Sequence, residues 1–369
     1  MVASSSHVPN VSITVLLQSL ATPGAGFGTV TLMVDEAQGT GNTLGPVGTV
    51  RFLDFADFSE VQTARTSGLI TAEVEAAGLV AFSQQPAPSK WRVCRVDTAG
   101  TTTLETYTSA LTALEAEAGV AGDLYGFCMD SRVPTAQIPF ATTLEAKKFA
   151  LLLQDNDADW KTASDPAAWT SATEFAKSGH VYKDADSEWL DVGAMVANLA
   201  FDPDSQSVPW ERRIRGVAAE GTFITATERN NIITNDSALL GTWGSTDFWL
   251  DNVVTFDGRP FYERLSADWF EARVSEAIQT MHQRESDAGR KVLVSQSGMA
   301  QLVSTVQGVV TTAESAQHFT PGQSVITPEA ITDADRTARR LRLGVLAQIG
   351  ISARLFTITA NLSTTPVIV

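Results

Sequence analysis

The sequence predicts a layered protein of the α/β or α+β class. Segments with the two-residue period of a strand alternate with segments of helical period from Phe27 to about residue 250. From Ser266 onward, three helices with apolar faces are followed by strand-like residues. Strands that alternate with helices are typical of a sheet covered by helices.

The chain has 369 residues, of which 44% are hydrophobic. This is the composition of an ordinary soluble protein with enough apolar residues for two or more packed units. A formal net charge of −16 disfavours nucleic acid and anionic membranes as partners, because an acidic surface repels phosphate. The simpler interpretation is that the charge only aids solubility. No apolar run approaches the ~20 residues of a membrane span, so no membrane anchor is expected. The N-terminus lacks the basic and apolar regions of a signal peptide.

The N-terminal segment predicts a lone strand followed by a hinge. The strand's alternating residues are Val11, Ile13, Val15 and Leu17. The hinge residues are Pro23, Gly24 and Gly26. Such a strand either pairs with the chain's own sheet or acts as an arm that pairs with another subunit.

The middle of the chain predicts alternating strands and helices. Predicted strands cover residues 27–35, 90–97, 123–130 and 180–184, and two or three more lie within 239–263. Predicted helices cover residues 69–82, 104–119, 169–179 (with Gly179 as the stop signal), 189–201 and 225–235. Residues 142–155 predict a helix or a helix that passes into a strand. Cys94 and Cys128 lie in two of the strands and could be neighbouring core thiols; two cysteines make no disulfide framework, which indicates a reducing compartment.

The C-terminal part predicts three helices and then two strands. Ser266 is the predicted N-cap of the first helix, whose apolar face runs to Met281. The second helix covers residues 297–310, and the third begins at Thr332 and ends in an arginine-rich run. Strict alternation then predicts a strand from Leu341 to Ile349. The final alternating residues are Phe356, Ile358, Ala360 and Leu362. A strand there requires a sheet edge, its own or a neighbour's.

Signals for chemistry are weak, and no enzyme activity is predicted. The glycines at 24–28 do not form a dinucleotide loop. Asp155, Asp157 and Asp159 resemble the start of an EF-hand, but Trp160 and Pro166 occupy the positions of the required glycine and glutamate. The four histidines have no zinc-site spacing, and neither a nucleophile elbow nor a phosphate-binding loop is present. We therefore expect no cofactor and no metal. An anion site at Arg336–Arg342 is less expected than a salt-bridged helix face.

The order of these segments resembles the tail sheath proteins of contractile bacteriophages. An extended N-terminal strand precedes the turn and GFGTVTLMVD. In the middle of the chain, the segment HVYKDADSEWLDVGAMVANLAF is followed by a loop, by Trp210 and then by ERRIRGV. DGRPFYERLSADWFEARVSEAIQTM is similar to the family's segment before and within its long helix. DADRTARR and the last strands resemble the family's C-terminal end. The loop SDAGRKVLVSQSG and the residues after Gln348 match the family's motifs only approximately.

The resemblance implies a structural protein that stacks as six-fold rings around a tail tube and contracts. Neighbouring subunits would exchange the terminal strands, and the partners would be further copies, the tube protein, and baseplate and terminator proteins. Such a protein is assembled in the bacterial cytoplasm and becomes part of the virion tail for genome ejection. A sheath of a non-phage injection system, another tail or baseplate component, and an α/β hydrolase with a site built from distant residues remain alternatives.

The expected architecture is an inner sheath-type domain with an outer α/β body inserted into it. We expect an N-terminal arm at 1–24, the body at 25–250, the inner domain at 251–352 and a C-terminal arm at 353–369. The helices at 266–310 are expected to face the tube. The residues expected to do so are Asp268, Trp269, Arg273 and Glu276.

Overall fold

A mixed sheet of eight strands forms the centre of the protein. The structure is a computed structural model that describes residues 27–35, 51–98, 105–117, 123–147, 149–164, 166–172, 174–185, 187–219, 224–243 and 246–350. In chain order the strands are β1 Val30–Asp35, β2 Phe52–Phe55, β3 Trp91–Val96, β4 Gly126–Met129, β5 Ala150–Asp155, β6 Ser178–Tyr182, β7 Ser237–Trp243 and β8 Thr246–Asp251. Their spatial order is β2-β3-β1-β4-β5-β6-β7-β8; β2 and β8 run antiparallel to their neighbours and the other pairs are parallel.

Helices cover both faces of this sheet. They are α1 Phe58–Thr66, α2 Ala72–Ser83, α3 Tyr107–Ala116, α4 Pro134–Glu145, α5 Leu190–Leu199 and α6 Ala226–Thr234. Because successive strand residues point to opposite faces, Leu32 packs with α2 and α5 in one core, and Met33 packs with α3 and α4 in the other. Every residue of β3, β5 and β6 is buried, as expected for strands covered on both faces.

The C-terminal part adds two long helices and a separate hairpin. Helices α7 (Phe261–Asp287) and α8 (Gln296–Ser315) pack on the same face as α2 and α5. A two-stranded antiparallel sheet follows, formed by β9 (Val325–Pro328) and β10 (Leu343–Leu346), with the short helix α9 (Asp333–Ala338) between its strands. The mixed α/β class predicted from the sequence is confirmed. The predicted boundary at residue 250 falls inside β8, and one continuous core joins residues on both sides of it; the division into body and inner domain stays a prediction.

Two predicted element boundaries are wrong for identifiable reasons. Helix α7 begins at Phe261, directly after Pro260, so Ser266 lies inside it and its hydroxyl bonds the Tyr262 carbonyl instead of capping. No helix is found at 169–179 among the described residues there; a short 3-10 turn, Ala167–Trp169, leads to β6. Gly179 lies within β6 instead of ending a helix. Glycine is needed there because a Cβ would lie 2.4 Å from the carbonyl oxygen of Val254.

Three further predictions are corrected. Cys94 and Cys128 are free and buried but belong to the cores on opposite faces of the sheet, so they are not neighbours. Burial raises the pKa of the Cys94 thiol to about 12. Helix α9 ends at Ala338, because Arg339 adopts a left-handed backbone with φ of 53°. The strand predicted from Leu341 to Ile349 is limited to β10, with one isolated bridge between Ile349 and Phe319.

Candidate functional site

We call residues 261–350 the C-terminal unit, because they carry the predicted tube-facing helices and the hairpin. Helices α7 and α8 pack through the apolar faces that the sequence predicts: Phe270 and Val274 from α7 meet the core with Leu302, Val306 and Val310 from α8. Ser295 caps α8 by accepting from the Gly298 amide. The packing of these two helices is the platform on which the hairpin lies.

Two of the predicted tube-facing side chains lie inside the protein rather than on its surface. Asp268 is 6% exposed and accepts hydrogen bonds from Arg264 Nε at 3.0 Å and from the Tyr125 hydroxyl at 3.1 Å. Burial raises the pKa of Asp268 although Arg264 opposes that effect. Trp269 is fully buried and donates from Nε1 to Asp204 Oδ1 at 2.7 Å. Both residues therefore hold α7 against the body, because their polar atoms need partners there.

The other two predicted residues are partly exposed and engaged in ion pairs. Arg273 binds both oxygens of Asp204, at 2.6 and 2.9 Å, and also donates to Glu276 at 2.7 Å. Burial alone would raise the pKa of Asp204, but hydrogen bonds from Arg273 and Trp269 outweigh it and lower that pKa. Contact of Arg273 and Glu276 with a tube stays a prediction. The predicted arm residues and the hinge lie outside the described residues.

His318 joins the hairpin to the body. Its buried ring stacks on Trp269 with the ring centres 4.4 Å apart. Nε2 lies 2.7 Å from the Pro203 carbonyl oxygen, and Nδ1 lies 2.8 Å from the Ser266 hydroxyl. Burial lowers the pKa of His318, so the neutral ring donates to Pro203 through Nε2–H. Its unprotonated Nδ1 and the Tyr262 carbonyl oxygen are then both acceptors within 2.8 Å of the Ser266 hydroxyl, and they share its single hydrogen. The His318 carbonyl then accepts from the Gly350 amide at 2.9 Å, which ties the base of the hairpin to this point.

The hairpin is apolar on both of its faces. Ile326, Leu343 and Val345 point inward and pack against the main core. Val325 and Leu346 are directly opposite each other across the two strands and are 55% and 61% exposed. Each strand also has one edge without a ladder partner among the described residues. A two-stranded sheet is marginally stable alone, and unpaired edges are templates for further strands.

Asp335 fixes the turn from α9 into β10. Its carboxylate accepts from Thr332 in a capping box, from Arg340 Nε at 2.7 Å and from Arg342 at 3.1 Å. Those hydrogen bonds, led by the one from Thr332, lower the pKa of Asp335. Arg336 pairs with Asp333, and Arg342 also pairs with Glu329. The salt-bridged interpretation of the arginine run is thus confirmed for these residues; Arg339 forms no ion pair within the described residues.

A groove of about 250 Å³ lies between α7, α8 and the chain leading into β10. Apolar side chains form most of its walls. They are Val274, Ile278, Met281, Val292, Val294, Leu302, Val306, Leu341, Leu343 and Val345. The polar residues at its edge are His282, Arg339 and Arg340. Gly298 allows the segment before α8 to lie against the first turn of that helix, because a Cβ at that position would lie 1.8 Å from the Leu293 carbonyl oxygen.

The main sheet holds a polar cluster that resembles a hydrolase set. Asp155 Oδ1 lies 3.2 Å from His180 Nε2, and His180 Nδ1 lies 2.7 Å from the Ser237 hydroxyl. All three side chains are buried, with at most 1% exposure, and Trp160 stacks on the imidazole at 4.1 Å. Burial would raise the pKa of Asp155, but the charge of His180 and the hydrogen bonds lower it. A substrate cannot reach Ser237 in this arrangement, which therefore serves the packing of β5, β6 and β7.

Other chemistry is not suggested by the described part of the chain. Asp157 of the predicted acidic loop accepts from the Asp159 amide and begins a 3-10 turn. Among the described residues no cluster of three His, Cys, Asp or Glu side chains is arranged for a metal ion. Nor does any described helix have the length and hydrophobicity needed to cross a membrane.

Two of the residues that sequence reasoning missed have partners far away in the chain: Asp204 is bound by a residue 65 positions away, and His318 lies against one 115 positions away. Asp335 was also missed, although its partners are at most seven positions away. Only Asp335 had a local signal, since Thr332 three residues earlier forms a capping box with it. Strand β9 was missed because it has four residues and ends in Pro328.

No protein-family model and no curated protein matches this sequence. Solved structures do match. A chain of the anti-feeding prophage baseplate superposes with a TM-score of 0.64 at 13% identity, covering 98% of this chain and 100% of its own. A chain of the contracted PVC sheath complex, an extracellular contractile injection system, gives 0.61 at 10% identity, covering 98% and 96%. A sheath tail protein from Listeria innocua gives 0.50 at 9% identity, covering 89% and 96%. The chain therefore has the sheath-type fold that its sequence predicts.

Proposed function

We propose that this protein is a structural subunit of a contractile tail or injection particle and that it forms the sheath. The observation that carries the proposal is the match along nearly the full length of both chains to a contracted sheath complex. An inserted or missing domain would have broken that match. The role needs no active site, and the buried state of Ser237 and His180 fits a protein that works through its surfaces.

The unfinished hairpin supports strand exchange as the link between subunits. Its free edges offer main-chain donors and acceptors, and each net hydrogen bond contributes about 0.5–1.5 kcal/mol. The segments Val11–Leu17 and Phe356–Leu362 have the alternating pattern of strands that could add there. Subunits linked in this way would form stacked six-fold rings around a tube. Rings tethered by arms can shift as rigid bodies, so contraction would release free energy held in the extended lattice.

A second candidate role is a sheath-like component of the baseplate. It is favoured by the match to a baseplate chain, which has a TM-score of 0.64. In either role the partners would be further copies of this chain, a tube protein and the proteins at the two ends of the tail. The protein would assemble in a bacterial cytoplasm and act in the finished particle, as a phage tail used for genome ejection or as a related injection machine.

Negative-stain electron microscopy of the concentrated full-length protein tests the proposal. We expect hollow cylinders wide enough to hold a tube, which would establish the sheath role. Single six-fold rings that do not stack would favour the baseplate role. Monodisperse compact particles, with and without added tube protein, would contradict both.

Deletion of residues 1–20 or 356–369 tests the arms. Each variant is expected to remain a folded monomer by circular dichroism and to form no cylinders. The matched control is Val133→Ser, which alters an exposed side chain (55%) of the body and leaves both arms intact. Normal cylinders from either deletion would show that strand exchange is not the link.

A further inference from the structure

The two outer edges of the hairpin differ in what they can bind. The Glu329 amide donates to the Arg342 carbonyl oxygen at 3.1 Å, so the main-chain groups of these two residues face each other. Main-chain groups alternate in direction along a strand, and those of Leu343 and Val345 therefore point away from β9. By the same alternation the nitrogen of Pro328 points to the outer edge of β9, where it has no hydrogen to donate. A further strand is thus favoured on the β10 side.

The outer edge of β10 continues beyond the strand itself. The Thr320 amide donates to the Gln348 carbonyl oxygen at 2.8 Å. The Gly350 amide donates to the His318 carbonyl oxygen at 2.9 Å. Both bonds lie on the same side of the chain as β9, so the N–H groups of the odd-numbered residues in 343–349 point to the opposite side. This edge has no ladder partner among the described residues.

The apolar groove lies beside the outer edge of β10. Leu343 and Val345 form one of its walls, Met281 of α7 and Val294 contribute others, and none of the described residues of β9 lines it. Opposite residues of an antiparallel pair project to the same face of a sheet. A strand added to β10 would therefore place every second side chain in the groove. The groove requires a segment that is apolar at alternate positions and polar between them.

The C-terminal segment has this pattern. Its apolar residues occupy even positions and its polar residues odd positions: Phe356, Ile358, Ala360 and Leu362 against Thr357, Thr359 and Asn361. The N-terminal segment Val11–Leu17 fits less well, because Leu16 would point outward from the sheet when Leu17 points inward. The pattern thus selects the C-terminal segment as the occupant of the groove.

The spacing along the chain favours closure within one molecule. The outer edge, 343–349, and the segment Phe356–Leu362 have seven residues each, and only residues 350–355 separate them. In the antiparallel pairing that uses both segments fully, Val345 lies opposite Ala360. A strand on so short a tether has an effective concentration in the millimolar range, far above the concentration of a second copy in dilute solution.

We propose that in the free subunit the C-terminal segment Phe356–Leu362 closes onto β10 of the same chain and fills the groove. The hairpin then becomes a three-stranded sheet with one apolar face, which is the smallest sheet expected to be stable. The segment must leave this position before it can add to a neighbouring subunit, so closure restrains assembly. This restraint rests on the proposed function, whereas the closure itself does not.

A pair of cysteines tests the closure. Val345→Cys with Ala360→Cys is expected to form an intramolecular disulfide in dilute, mildly oxidised protein, because opposite residues of adjacent strands have Cα atoms about 5.5 Å apart. Ile326→Cys with Ala360→Cys is the matched control. Ile326 lies directly opposite Val345 on β9, so its Cα would be about 10 Å from that of Ala360, which is too far for a disulfide.

Electrophoresis without reductant and peptide mass spectrometry identify the bond; the natural thiols Cys94 and Cys128 are buried. Disulfide-linked dimers in place of linked monomers would overturn the proposal, because they assign the groove to a second copy. The absence of a disulfide from the first pair, or an equal yield from the control pair, would overturn it as well.

Deletion of residues 356–369 is expected to open the groove. Binding of the hydrophobic dye anilinonaphthalene sulfonate should rise severalfold, and Leu343→Asp in the same deletion variant should remove the increase, because it places a charge in the groove. Deletion of residues 1–20 should leave dye binding unchanged. An increase on that deletion alone would assign the groove to the N-terminal segment and overturn the proposal.

The engineered disulfide also separates the closure from the proposed function. The oxidised protein with Val345→Cys and Ala360→Cys is expected to form no cylinders, and reduction with dithiothreitol is expected to restore them. Cylinders from the fully oxidised protein would show that closure does not restrain assembly. An intramolecular disulfide together with no cylinders, even from the natural protein, would support the closure and contradict the sheath.

Discussion

The eight-stranded sheet and the two-stranded hairpin differ in how far their strands are buried and paired within one molecule. All six residues of β3 are buried, and strands pair with β1 on both of its sides. In the hairpin, β10 alternates between half-buried and exposed residues, and Leu346 is 61% exposed. The six inner strands of the sheet are paired on both sides within one molecule, whereas both strands of the hairpin have a free edge among the described residues, and the hairpin also exposes an apolar pair.

The ionic contacts of the two regions differ in the same way. Arg132 binds Asp191 in a bidentate pair at 2.7 and 3.2 Å, with Asp191 fully buried and Arg132 over the Trp189 ring. Arg336 and Asp333 in α9 form a comparable pair at 2.6 Å, but Asp333 is 97% exposed. The shortest distances are similar, but the exposed pair has a single hydrogen bond and is screened by water, so it contributes less to stability.

The largest expected effect comes from Asp191→Ala. It leaves the Arg132 guanidinium buried without its partner, and we expect a loss of about 3–5 kcal/mol in the free energy of unfolding. Asp333→Ala is the control, with an expected change of at most about 1 kcal/mol. Urea unfolding followed by circular dichroism measures both. Similar losses in the two variants would remove the distinction between the regions.

A smaller effect is expected from the titration of Asp130 at the end of β4. Burial raises the pKa of this carboxyl to about 6, although the Tyr107 hydroxyl and the Asp35 amide donate to it. The folded pKa of Asp130 exceeds its unfolded value, so its protonated carboxyl group favours the folded state. This stabilisation is fully present below about pH 4 and is lost as the pH rises to about 6. The loss is about 3 kcal/mol.

Comparison with Asp130→Asn isolates this effect from the other carboxyl groups. The free energy of unfolding of the natural protein is expected to fall relative to that of the variant between pH 4 and 6.5, and to run parallel above that range. Parallel curves throughout would contradict the raised pKa.

The attachment of the hairpin to the body should respond to His318→Phe. Phenylalanine retains stacking on Trp269 but leaves the buried Pro203 carbonyl without its donor, at a cost of about 1–3 kcal/mol. We expect faster hydrogen exchange at the base of the hairpin, including the Gly350 amide, and little change in β3. His282→Phe is the control, since His282 lies at the groove edge. Equal exchange in the two variants would show that His318 does not anchor the hairpin.

Local sequence pattern was sufficient for most of the sheet and insufficient for the C-terminal unit. The strands β1, β3 and β4 and the helix α5 lie in apolar segments that are buried almost throughout, and α8 follows from the helical period of the one face that it buries. The start of α7 and the end of α9 were wrong, since Pro260 and the left-handed Arg339 act against the cap and helix signals nearby. The burial of Asp268 and Trp269 depends on Tyr125 and Asp204, which no spacing along the chain indicates.

The smallest effect on the isolated chain is expected for the outward pair of the hairpin. Val325→Ser with Leu346→Ser removes two exposed side chains that contact little within one molecule, so the free energy of unfolding should change by at most about 1 kcal/mol. Assembly should nevertheless be lost, because an apolar pair on a sheet with free edges is stabilised only when another chain covers it. Val133→Ser, equally exposed at 55%, is expected to leave both properties unchanged. Cylinders formed normally by the double variant would mean that the outward face of the hairpin is an ordinary solvent surface, and the contrast with the sheet would then rest on the strand edges alone.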